Sequence, residues 1–146
     1  LKELSGQTTV AGLIALTPAD KQHAGKDRCI AFQTDILVAE DTAHATLRPR
    51  TLEEAIVYEN IGLFRSGKLS IGVDIPKPLQ DAYQSVYDRI RSDSFKKTDF
   101  AMDVLACAEK VIVPEYIAEG LRWLEVRLCP PLELAPPILV AAEAGA

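Results

Sequence analysis

Ile75-Pro76-Lys77-Pro78-Leu79-Gln80-Asp81-Ala82-Tyr83-Gln84-Ser85-Val86-Tyr87-Asp88-Arg89-Ile90-Arg91 is where the chain changes character. Two prolines in four residues fix φ and make 75–78 a stiff connector, a natural subdomain boundary. Beyond it Leu79, Tyr83, Val86 and Ile90 recur at i, i+4, i+7 and i+11, one stripe of an amphipathic helix ending near Arg91. The helical period then persists. Ser94 or Thr98 is suited to cap a second helix carrying Phe100, Val104 and Leu105. A third has Pro114 in its first turn and Ile117, Leu121, Leu124 and Leu128 as its stripe, with 111–113 a short extended segment between.

Upstream of the connector the apolar runs are short. Arg28-Cys29-Ile30-Ala31-Phe32-Gln33 has the length of a buried strand. Ile36-Leu37-Val38 either continues it or forms one arm of a hairpin turning at Glu40-Asp41. Val10, Leu13 and Ile14 suit one helical turn or a short strand. Thr17-Pro18-Ala19-Asp20 reads as a capped turn with proline in the first helical position, and Gly25-Lys26-Asp27 breaks it. That Gly-Lys pair is not a phosphate loop, which needs an earlier glycine and a Ser or Thr where Asp27 stands. Gly62, Gly67 and Gly72 punctuate a loop before the connector. The expected fold class is α/β: a short sheet within 1–75, a helical subdomain over 76–128, and a Pro/Ala-rich, poorly ordered tail over 129–146.

Composition narrows the class. A chain of 146 residues buries one core and crowds two. With 48% hydrophobic and 25% charged residues it is globular rather than disordered. The net charge of −5 lacks the basic footprint of a free-standing DNA-binding domain, although a nuclease whose carboxylates hold metal can be acidic. Cys29, Cys107 and Cys129 are odd in number and far apart, as idle thiols of a reducing cytoplasm would be. His23 and His44 lack ligand spacing. No apolar run reaches the length of a membrane span, so no membrane partner is expected. A start at Leu1 rather than Met suggests a piece of a longer protein.

Arg50-Thr51-Leu52-Glu53-Glu54-Ala55 opens a helix running to about Leu63. Thr51 and Glu54 form a capping box: the hydroxyl accepts from the Glu54 amide, and the carboxylate reaches back to the Thr51 amide. Glu54 thus has a structural task and Glu53 has none, beyond suiting the positive end of a helix. An acidic first turn is the ordinary reading of both, and an exposed helix-start lysine is the ordinary reading of Lys97. Asp35 reads as a turn residue, because no second acid follows at Leu37 to make an Asp-x-Asp.

Three stretches in this order carry a resemblance: Arg50-Thr51-Leu52-Glu53-Glu54-Ala55, Lys97-Thr98-Asp99-Phe100-Ala101, and Val113-Pro114-x-Tyr116-Ile117-x-x-Gly120-Leu121-x-Trp123-Leu124. From about Leu16 to Leu128 the chain resembles the C-terminal part of OLD-family nucleases, ATP-dependent DNA endonucleases with an ABC-type ATPase followed by a Toprim domain. The resemblance implies a partial Toprim, Rossmann-like sheet followed by a helical subdomain. It implies phosphodiester hydrolysis at a two-metal Mg²⁺ or Mn²⁺ site completed by residues upstream of this chain, with ATP on a missing ATPase domain. Glu53 would be a metal ligand and catalytic residue, and Lys97 a catalytic lysine placing positive charge against the phosphate. Partners would be DNA, a second copy through the full-length protein, and a helicase in cytoplasmic phage defence.

The family's early glutamate, its Asp-x-Asp and any ATP-binding loop have no match here, so the fragment alone should be inactive. Glu53 and Lys97 should lie within roughly 6–12 Å, the span of a two-metal centre plus one phosphate. The readings from other classes are a non-catalytic helical interaction module and another Toprim-related DNA enzyme.

Overall fold

The computed structural model describes residues 6–17, 19–22, 28–40 and 43–129. The expected proline at position 18, the break at 25–27, Asp41 of the hairpin turn and the tail from 130 onward lie outside the described residues. Helix α1 (Val10–Ile14) starts where Thr9 Oγ1 accepts from the Gly12 amide at 3.1 Å, and it buries none of its side chains. Thr17 and Asp20 close the following turn reciprocally. Asp20 Oδ2 accepts from the Thr17 amide and hydroxyl at 3.1 and 2.6 Å, and Thr17 Oγ1 accepts from the Asp20 amide at 3.3 Å.

The run 28–33 is not the strand its composition suggests. Its regular pairing is one isolated antiparallel bridge, Gln22 to Cys29, and only Ile30 of the six residues is buried. The hairpin alternative for 36–38 is the one realised. Strands β1 (Ile36–Glu40) and β2 (Ala43–Leu47) pair antiparallel with Ile36 opposite Leu47 and Val38 opposite Ala45. The period of two puts Ile36, Val38, Ala45 and Leu47 toward the core and leaves Leu37 exposed. The sheet has these two strands among the described residues, and no strand follows residue 78 there. The fold is mixed helix and sheet.

Thr51 caps α2 (Leu52–Glu59), which ends two turns later rather than running on to Leu63. Asn60 interrupts it at φ −121°, ψ 26°, and α3 (Ile61–Arg65) follows, with Gly62 inside the helix rather than in a loop. Gly67 ends α3 at φ 74° in a Schellman arrangement: Lys68 N donates to Leu63 O at 3.0 Å and Gly67 N to Phe64 O at 3.1 Å.

Helix α4 (Leu79–Arg91) has the expected bounds and buries Leu79, Ala82, Val86 and Ile90. Tyr83 sits half-buried beside that stripe and Ala82 replaces it at the centre, where only a small side chain lets α2 come close. α2 packs on β1 and α4, and α4 packs on β2. One apolar cluster draws Val38 and Leu47 of the hairpin, Val57, Ile61 and Phe64 before the prolines, and Val86, Ile90 and Phe100 after them.

Helix α5 (Lys97–Ala106) starts without a side-chain cap, so neither Ser94 nor Thr98 serves as one. Phe100 anchors it, stacked on Phe64 at 6.1 Å and tilted against Phe95 at 5.6 Å. Residues 111–113 form no strand. The Asn60 side-chain amide takes the place of a strand partner there, accepting from Ile112 N at 2.7 Å and donating to Ile112 O at 2.9 Å. Helix α6 (Glu115–Leu128) follows and has no fully buried residue. Its expected stripe is half-buried at Ile117 and open at Leu121, Leu124 and Leu128.

Candidate functional site

Glu53 and Glu54 are sequence neighbours with opposite surroundings. A helix turns 100° per residue, and this turn sends Glu54 into the core and Glu53 to its rim. Glu54 is 0% exposed. Its carboxylate accepts from Arg50 Nη2 at 2.7 Å, from the Arg50 amide at 2.5 Å and from the Tyr58 hydroxyl at 3.4 Å. The Arg50 guanidinium lies in turn over the rings of Tyr83 and Tyr87, at 4.3 and 3.4 Å. The capping box is therefore half as expected. Thr51 Oγ1 accepts from the Glu54 amide at 3.2 Å, but the carboxylate returns to the amide of Arg50, one residue earlier than Thr51.

Glu53 meets Lys97. The ammonium lies 2.9 Å from Glu53 Oε1, although 43 residues separate the two in sequence. That is a direct ion pair, shorter than the roughly 6–12 Å expected for groups bridged by metal and phosphate. The lysine side chain is 66% exposed and the glutamate side chain 14%. Burial pushes the Glu53 carboxyl upward, but the hydrogen bonds from Lys97, from its own amide and from Thr51 outweigh it and hold the group below the usual glutamate range. The pair is thus a half-sheltered carboxylate with a solvent-facing ammonium laid across it.

The first turn of α6 completes the surroundings. Burial raises the Tyr116 phenol, the hydrogen bond with Gln33 opposes this, and the negative charge of Glu53 raises it further. Glu59, at the far end of α2, is raised by burial and by the charge of Glu115, while the Glu115 amide, at the start of α6, donates to it. Tyr116 and Gln33 drew no functional reading from sequence. The position of Tyr116 one residue after the helix start set by Pro114 is the signal that could have found it.

Asp35 makes a two-pronged pair with Arg48, at 2.5 and 2.8 Å, which keeps its carboxyl below the usual range and fits a turn-side structural residue. His44 is exposed. Among the described residues no three His, Cys, Asp or Glu side chains gather as metal ligands. Glu53 is a single carboxylate already neutralised by an amine, so the residues present do not by themselves fit a divalent ion, which wants several oxygen ligands. Also among the described residues, no helix is long and apolar enough to cross a membrane. No family model matches the chain, and neither a curated protein nor a solved structure does.

Proposed function

We propose that this chain is the C-terminal portion of an OLD-type, metal-dependent DNA endonuclease of the cytoplasm, to which it contributes Glu53 and Lys97. The observation that supports the reading is their 2.9 Å approach across 43 residues of sequence, on the two motif stretches that carry the resemblance. In this reading the hairpin is the margin of a larger Toprim-like sheet. The remaining carboxylates for Mg²⁺ or Mn²⁺ come from outside this chain, as does the ATPase. Lys97 is the group that acts through its own charge. Its exposed ammonium sits on a flexible stem at a helix start, able to leave Glu53 and face an incoming phosphodiester. DNA is the substrate, and a second full-length copy and a helicase are the partners.

The test is plasmid nicking by the intact protein. Glu53→Gln and Lys97→Ala should each lower nicking at least a hundredfold, the scale of a lost electrostatic stabiliser, while ATP hydrolysis continues. Parental cutting by Glu53→Gln would remove the assignment of that residue. An intact protein with no ATPase and no further carboxylates would remove the nuclease reading itself. The isolated chain should neither cut DNA nor bind Mg²⁺ appreciably.

A second reading, a non-catalytic helical interaction module, is favoured by α6, where Leu121, Leu124 and Leu128 stand 59%, 43% and 70% exposed. It predicts unchanged nicking by both variants.

A further inference from the structure

A groove of about 720 Å³ runs between α6 and the bridge that joins Gln22 to Cys29. Its α6 wall is formed by Glu119, Arg122, Trp123 and Val126, at i, i+3, i+4 and i+7, with Arg127 at the end. The wall joins an aromatic surface to two arginines. Glu119 is neutralised where it stands, because Lys21 Nζ lies 2.8 Å from both of its carboxylate oxygens. Arg127 has its guanidinium 5.7 Å from the Trp123 ring centroid. Arg122 holds Glu115, but both side chains are open to solvent, 59% and 68% exposed, and such a pair releases its arginine at little cost. Arg122 and Arg127 are spaced about 7.5 Å along the helix axis, with the indole between them.

We propose that this groove binds a single strand of DNA, one base stacking on Trp123 and the flanking phosphates taken by Arg122 and Arg127. An indole receives any base through its π-face, and arginine receives phosphate through its forked donors. A duplex keeps its bases stacked on one another and leaves none for the indole. The net charge of −5 supplies no broad positive surface for a duplex either. The choice of DNA as the phosphate-bearing ligand rests on the nuclease reading. The groove lies on α6 about 10 Å, seven residues, beyond the Tyr116 turn that faces Glu53, so a strand held there would lead toward that pair.

Trp123 is the single tryptophan of the chain, so its emission reports on this groove alone. A ten-residue thymidine oligonucleotide should quench it. The logarithm of the affinity should fall with the logarithm of salt at a slope of about −1.4, two phosphate contacts at −0.7 each. Arg122→Ala and Arg127→Ala should each reduce that slope by about 0.7. With a fluorescein-labelled oligonucleotide read by anisotropy, Trp123→Leu should weaken binding at least fivefold and Trp123→Phe should keep most of it, each checked for folding by circular dichroism. Lys68 belongs to neither the groove nor the Glu53 pair, so Lys68→Ala should bind the oligonucleotide as the parent does. Groove binding that persists in an intact protein that neither hydrolyses ATP nor cuts DNA would end the nuclease reading and leave the groove standing. Equal quenching by duplex DNA, by an acidic peptide or by inorganic phosphate, a salt-independent affinity, or loss of binding in Lys68→Ala would overturn the proposal.

Discussion

Glu53 and Glu54 differ by one position and by everything that surrounds them. Glu54 is a fully buried carboxylate tied to Arg50, so replacing it removes more than a cap. Glu54→Gln should cost about 1.5–3 kcal/mol, the scale of hydrogen bonds to a charged group, read as a fall in the urea midpoint with unchanged slope. A cap alone would give roughly 0.5–2 kcal/mol. Glu53 contributes modestly to stability under neutral conditions and shows its pairing on titration. Its folded carboxyl lies below the unfolded value, so its contribution is full above about pH 4.3 and disappears as the pH falls through the folded value. In Lys97→Met the burial remains and the principal charged donor is gone. The Glu53 midpoint, followed by carbon NMR of its carboxyl, should therefore move up; an unmoved midpoint would mean that the pair is absent in solution.

Among the elements, the joint between α2 and α3 does the connecting. Asn60 is 4% exposed and spends its amide on Ile56 O, Ile112 O and Ile112 N, which ties the segment leading into α6 to the middle of the chain. Asn60→Ala leaves the part-buried Ile112 amide and carbonyl without their side-chain partner and should cost about 1 kcal/mol. The accompanying sign is faster hydrogen exchange at Ile112, and a protected Ile112 amide in the variant would show that the clasp is dispensable. Gly72 is the other such point. Its φ is +79°, and a Cβ there would meet Arg89 Nη2 at 2.8 Å, displacing the guanidinium that donates to Ile71 O at 2.5 Å. Gly72→Ala should lower the melting temperature, through both the backbone and the displaced arginine.

At the scale of the molecule the core is one cluster that includes residues on both sides of Pro76 and Pro78. Heat or urea should then unfold hairpin and helices together, with coincident transitions from far-ultraviolet circular dichroism and from near-ultraviolet signals of Tyr58 and Tyr83. Val86, 0% exposed at the centre of α4, should on truncation to alanine cost about 2 kcal/mol and shift both probes equally. Separate midpoints for the two probes would support a division at 75–78.

What the residues determined unaided was local. The period of α4, the Thr51 cap, the Thr17 and Asp20 turn and the start of α6 after Pro114 follow from spacing, because the forces that set them act within a few residues. Three things needed the tertiary structure. The run 28–33 has strand composition but gains one bridge instead of a ladder, since β propensity is realised only against a partner. The stripe of α6 has the spacing of a buried face, yet spacing does not say what packs on it, and Leu121, Leu124 and Leu128 stay open. The third is the meeting of Glu53 and Lys97. The motif stretches named both residues, but their direct contact depends on where Phe64 and Phe95 seat Phe100 and so orient the first turn of α5. A contact between residues 44 apart is set by the packing of everything between them, which no local pattern encodes.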